Sequence, residues 1–168
     1  MKLHVLPVAM ALLVISACDD TGPFAGKSLS AGFGTTFQER YFAAREDLED
    51  GNFNGAARKY RGLSSEFADS DLAARLDLEL AHALLRGGDY AEAAEVSASV
   101  MRGAQGPLRG LALAVHGTAR HEMAKAKGNP ADFAAAEAAL SDMIENYPDL
   151  DRGGAMARRL SILRSGGN

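Results

Sequence analysis

Three segments of this chain begin in the same way: Gly51-Asn52-Phe53-x-x-Ala56, Gly88-Asp89-Tyr90-x-x-Ala93 and Asp132-Phe133-x-x-Ala136. Their aromatic residues stand 37 and then 43 positions apart. A pattern that returns at such a spacing marks one supersecondary unit used several times, each copy unable to bury its apolar face without a neighbour. The residue types supply the physics. A glycine or Asx turn reverses the chain, the aromatic side chain wedges between the two arms, and the alanine one turn later lets the arms approach closely.

The arms read as helices. Phe53, Ala56, Ala57, Tyr60, Leu63 and Phe67 recur at intervals of three and four, as do Leu72, Leu76, Leu80, Ala83 and Leu84. Thirty-two alanines in 168 residues argue against an all-β fold, because alanine is the best helix former and a poor strand residue. The breaks are equally plain. Thr36-Phe37-Gln38-Glu39 predicts a capping box that opens a first helix running to about Asp50. Arg86-Gly87-Gly88 stops the third helix, and Asp89 with Glu92 opens the fourth. Gly106-Pro107 starts the fifth, Asn129 caps the sixth before Pro130, and Pro148 closes it. A last helix is predicted from about Asp151 to Arg164, giving seven helices and no strand.

The first eighteen residues are of another kind. Val5 to Ser16 is an apolar run of twelve interrupted by Pro7, which at 1.5 Å per residue is too short for a hydrocarbon core of ~30 Å. It suits the apolar region of a signal peptide. The only cysteine follows at once, in Ile15-Ser16-Ala17-Cys18. This is similar to the bacterial lipobox, which implies cleavage before Cys18 and acylation of its thiol and new amino group. Two or more acyl chains hold a protein stably on a bilayer. The resemblance therefore implies a lipid bilayer contact through Cys18 and a periplasm-facing, lipid-anchored protein of the bacterial cell envelope. Asp19 and Asp20 resemble the signal that keeps enteric lipoproteins in the inner membrane, which favours that membrane over the outer one. Residues 18–36, rich in Gly, Ser and Thr, show no periodicity and read as a tether, so the expected layout is 1–17 signal peptide, 18–36 lipidated cysteine and tether, and 37–168 helical domain.

With the turns in view, the middle repeat Leu80-Ala81-His82-Ala83-Leu84-Leu85-Arg86-Gly87-Gly88-Asp89-Tyr90-Ala91-Glu92-Ala93-Ala94 resembles the turn region of the tetratricopeptide repeat (TPR) nearly residue for residue, and Tyr147-Pro148 supplies a terminal proline. The resemblance covers about Phe37 to Pro148. Repeats here run longer than the family's usual length, with extra residues in Met123–Pro130, and Asp47 stands where an apolar residue is usual. The implied fold is all-α: a TPR-like α-solenoid of about three helix pairs with a C-terminal capping helix. An unrelated alanine-rich bundle is the plainer alternative. The implied function is a protein-protein interaction scaffold of an envelope assembly or membrane complex, since stacked helix pairs leave an extended concave face. An accessory subunit packed permanently on an inner-membrane complex and a small cell-wall enzyme stand as alternatives. The first helix of each pair would line the groove, presenting Gln38, Tyr41 and Arg45, then Arg75, Leu78 and His82. Equally, the leucines can pack between repeats and the charged residues form a solvated face.

Chemistry is hard to find. His121-Glu122 is followed four residues after His121 by Lys125, which denies a zinc-protease helix its second ligand. His116 and His121, five apart, point to different sides of a helix. There is no Gly-x-Ser-x-Gly elbow, and no cysteine remains after Cys18. Neither a metal nor a cofactor is expected. A net charge of −4 argues against nucleic-acid partners. Arg152, Arg158, Arg159 and Arg164 make a basic patch on the last helix, suited to anionic lipid or an acidic partner, or simply to the negative end of a helix dipole.

Overall fold

A computed structural model describes residues 34–166. Cys18, the signal peptide and the tether before Gly34 lie outside the described residues. The described chain is helical: α1 (Gly34–Glu49), α2 (Phe53–Glu66), α3 (Ala73–Gly87), α4 (Tyr90–Gly103), α5 (Gly106–Lys127), α6 (Pro130–Asn146), a 3₁₀ turn (Pro148–Asp151) and α7 (Ala155–Arg164), with no strand among the described residues. None of these helices is long and apolar enough to cross a membrane.

The repeat is written in the turns. α1 and α3 both end on a glycine in the left-handed region, Gly51 at φ 81° and Gly88 at φ 84°. At each, the glycine amide and the one after it turn back to the last carbonyls of the helix. Gly51 N–H donates to Leu48 O and Asn52 N–H to Asp47 O; Gly88 N–H donates to Leu85 O and Asp89 N–H to Leu84 O. This is the Schellman arrangement, open to glycine because a Cβ would be strained there. The following Asx residue takes the N-cap. Asn52 Oδ1 accepts from Gly55 N–H, whereas Asp89 holds its position without a side-chain capping bond.

The third copy is built differently, which corrects the reading of Asp132 as a turn residue. α5 is longer and ends on Gly128, whose amide donates to Ala124 O alone. Asn129 then caps α6, accepting from Ala131 N–H, and Pro130 fills the first turn. Phe133 therefore sits inside α6 and not at its start, and Asp132 turns inward. The extra residues around Met123–Pro130 have gone into helix. At the other end, α1 starts at Gly34 and not at a Thr36 cap. Burial of Phe37 against the edge of the Phe67 ring fixes that first turn, and such packing outweighs the weak propensity of Gly and Thr.

Packing repeats more strictly than the turns do. The three motif alanines, Ala56, Ala93 and Ala136, are each 0% exposed. One turn on, Tyr60, Ser97 and Leu140 are buried, and one turn further Leu63, Val100 and Met143. Ser97 is the odd member, and its hydroxyl is satisfied within the helix by Ala93 O at 2.6 Å. From α2 onward each helix packs on the next, and α5 also touches α3 and α7, its counterparts two helices away. α1 meets α2 through Tyr41 against Tyr60 and the Lys59–Asp47 ion pair. The order is that of helix pairs stacked in series, α1/α2, α3/α4 and α5/α6, with α7 on the last pair. Ion pairs such as Arg61–Glu92 and Arg40–Glu66 tie the exposed surface. Their exposure limits each to well under about 1 kcal/mol.

Candidate functional site

The second helix of each pair buries the motif row, so the first helices α3 and α5, with α7, are left to form one open face. A cavity of about 370 Å³ is cut into it. α3 contributes Arg75, Leu78, Glu79, His82 and Leu85; α5 contributes Leu111, Ala114, Val115 and Thr118; α7 contributes Met156. The walls are apolar, and the charged groups all come from α3, where Arg75, Glu79 and His82 follow one another at helical spacing. Leu78 and Val115 belong to the buried cluster beneath, with Ala81, Val100 and Ala112. The floor is thus fixed by the same packing that holds the repeats together. Met156 is positioned from below by Thr118, whose hydroxyl meets its sulfur at 3.7 Å.

The electrostatics of the rim follow from its half-buried position. Burial pushes the Glu79 carboxyl above its ordinary value, against the pull of Arg75 and Arg45 and a long hydrogen bond of 3.5 Å from the Tyr41 hydroxyl. Burial, and then Arg86, hold His82 below its ordinary value, so its ring is neutral at physiological pH. Among the described residues Arg75 makes no ion pair within 4 Å. It presents a cation beside an apolar hollow.

Of the six groove residues read from the sequence, Arg75, Leu78 and His82 share this cavity. Gln38 and Arg45 lie on α1 outside its lining, with Arg45 bonded to Glu49 at 3.0 Å. Tyr41 needs correction: it is 2% exposed, packed against Phe37 and the edge of Tyr60. Phe37, Tyr41 and Ala44 form the core row of α1, and only the Tyr41 hydroxyl reaches towards Glu79. The α5 and α7 residues of the lining were not foreseen.

The basic patch is also corrected. Arg159 turns back to His121 and Glu122 on α5, and Arg164 to Glu137 and Ser141 on α6. Arg158 donates to Gly153 O, and Arg152 lies in the turn before α7. The four arginines do not share one face, because two of them fasten the cap to its neighbours. His116 and His121 face opposite neighbours, His116 Nδ1 meeting Ala94 O of α4 at 2.9 Å. No group of three or more His, Cys, Asp or Glu among the described residues is gathered so as to hold a metal ion.

Serially stacked helix pairs with an open first-helix face define an α-solenoid of the interaction type. The comparisons make this specific. The tetratricopeptide repeat family model matches residues 34–160, three quarters of the chain, and the chain belongs to that family. The match runs into α7 and ends at Leu160. No curated protein matches the chain. Such domains mediate protein–protein contact.

Proposed function

We propose that this is a membrane-anchored envelope lipoprotein whose TPR array holds a partner protein, in an envelope assembly or membrane complex, through the α3/α5/α7 cavity. One observation carries the groove: an apolar hollow, already shaped by core packing, bordered by a guanidinium with no ion pair. An apolar side chain of a docked peptide or helix would fill the hollow, and a carboxylate beside it would meet Arg75. The lipobox-like run ending at Cys18 supports the anchor. Tethering raises the effective concentration of partners on the same bilayer, so modest affinity per contact is enough. A docking scaffold of this kind needs no catalytic residue of its own.

Two experiments test the two halves. In-cell crosslinking and mass spectrometry would identify the partner. Arg75→Glu with His82→Glu is then expected to abolish co-purification with it while the helical circular dichroism is kept. Retained binding would move the interface elsewhere. Cys18→Ser is expected to shift the protein from the membrane to the soluble fraction or to leave the precursor uncleaved. Unchanged fractionation and mass would end the lipoprotein reading.

A further inference from the structure

Away from the charged rim, the most unusual polar group in the domain is the imidazole of His121, and we propose that it is a proton-operated latch on the α7 cap, releasing that helix and the Met156 wall of the groove in acid. The ring is 3% exposed. Its Nδ1 lies 3.0 Å from Nη1 of Arg159 on α7. A guanidinium only donates, so Nδ1 accepts and the ring proton sits on Nε2, which has no hydrogen-bond partner. The same Arg159 nitrogen donates to Glu122 Oε1 at 2.7 Å, and Lys125 holds the other oxygen of Glu122 at 2.5 Å. From α6 the facing group is the Phe133 ring, with centroids 6.4 Å apart, while the neighbouring Asp132 is engaged by Arg120 and Asn129.

A second proton on His121 must go to Nδ1, the atom that accepts from Arg159. Two N–H groups would then face each other across the bond, and a third cation would join Arg159 and Lys125 around one carboxylate already shared by both. The relief is for Arg159 to leave. α7 is poorly placed to resist, being ten residues long with Leu160 as its one buried residue among those described. Helices with so little buried surface open locally at low cost. Burial, reinforced by Arg159 and then opposed by Glu122, sets His121 below its ordinary value near 6.5. The released ring binds the proton more readily than the latched one. The latch is therefore intact above the ordinary value and weakens as pH falls from there towards the lowered native value. His116 is held low by burial in the same way, but its Nδ1 donates to a carbonyl that a second proton does not displace.

The test needs no partner, so its failure and a failure of the groove reading are distinguishable. Amide hydrogen exchange of residues 155–164 is followed in the full chain in detergent, corrected for intrinsic pH dependence. Opening of α7 is expected to rise severalfold between about pH 7.5 and about pH 5, with α2 and α3 unchanged. In His121→Gln, whose amide oxygen accepts from Arg159 at any pH, the response should vanish. A pH-independent α7, or the same response in His121→Gln, overturns the proposal. Where that variant does not fold, the His121 ring resonance of the native chain replaces it: its titration must share a midpoint with the α7 amide shifts, and separate midpoints overturn the latch.

Discussion

Gly117→Val is expected to cost about 3 kcal/mol and to lower the melting temperature by roughly 10 °C. Gly117 is buried in the middle of α5, facing α6. A Cβ placed there would lie 2.7 Å from Leu140 Cγ and 3.3 Å from Ala136 O. Leu140 is 0% exposed and Cγ is its branch point, so it cannot swing aside as the tip of a long side chain would. Seven residues earlier, on the same face of the helix, Gly110 is approached in the same way by Tyr147 and Leu150. Gly117 thus lets the Leu140 side chain of α6 lie directly on α5, while Gly110 makes room for Tyr147 and Leu150 just beyond the end of α6. Gly117→Ala discriminates sharply. Helix propensity alone makes it stabilising by ~1 kcal/mol, whereas the close approach makes it destabilising. Denaturant unfolding of Gly117→Ala, Leu140→Ala and the double variant should give a double-variant loss smaller than the sum, because the second substitution makes room for the first. A stabilised Gly117→Ala would mean that the helices are not so close.

Why the turns and rows were legible while half of the groove was not comes down to local against long-range information. The Schellman glycines and the Ala56, Ala93 and Ala136 row are set by residues within one turn of each other, which a sequence displays directly. α3 carries a clear stripe, so Arg75, Leu78 and His82 could be assigned to its open side. α5 has no such stripe. Leu108, Leu111, Ala112, Leu113, Ala114 and Val115 surround the helix, as befits one packed on α3, α4, α6 and α7. Periodicity cannot separate the face turned to α6 from the one left open, and Leu111 and Ala114 passed unnoticed. Tyr41 was misplaced because it was read as a groove position, although Phe37, Tyr41 and Ala44 at spacings of four and three spell a core row. The arginines of α7 were misread for another reason. Whether a cation faces solvent depends on what lies opposite, and His121, Glu122, Glu137 and Ser141 are distant in sequence.

Asp132 shows how a motif position can be kept while its job changes, and it carries the largest polar effect expected here. Its carboxylate is 4% exposed and accepts from Arg120 Nη1 at 2.8 Å and Asn129 Nδ2 at 2.9 Å. It therefore joins α5 to the cap of α6 at the point where the third repeat departs from the other two. Arg120 is already short of partners, its Nε being buried without one. Asp132→Ala would leave that guanidinium, its side chain 32% exposed, with no counter-charge and Asn129 with no acceptor, and the expected loss is about 2 to 3 kcal/mol in urea unfolding. The pair as a whole is a different matter, because desolvating two charges consumes most of what their attraction returns. Arg120→Met with Asp132→Leu should therefore be much less damaging than Asp132→Ala alone, even though it changes twice as many residues. Asp132→Asn keeps one acceptor of two: its amide oxygen can still accept from Arg120 while its NH2 meets the Asn129 donor, so a loss close to that of Asp132→Ala would assign the effect to the charge and the Asn129 bond together and not to the Arg120 hydrogen bond. If the double variant is as unstable as Asp132→Ala, the junction depends on this ion pair for its geometry and not on the avoidance of a stranded cation.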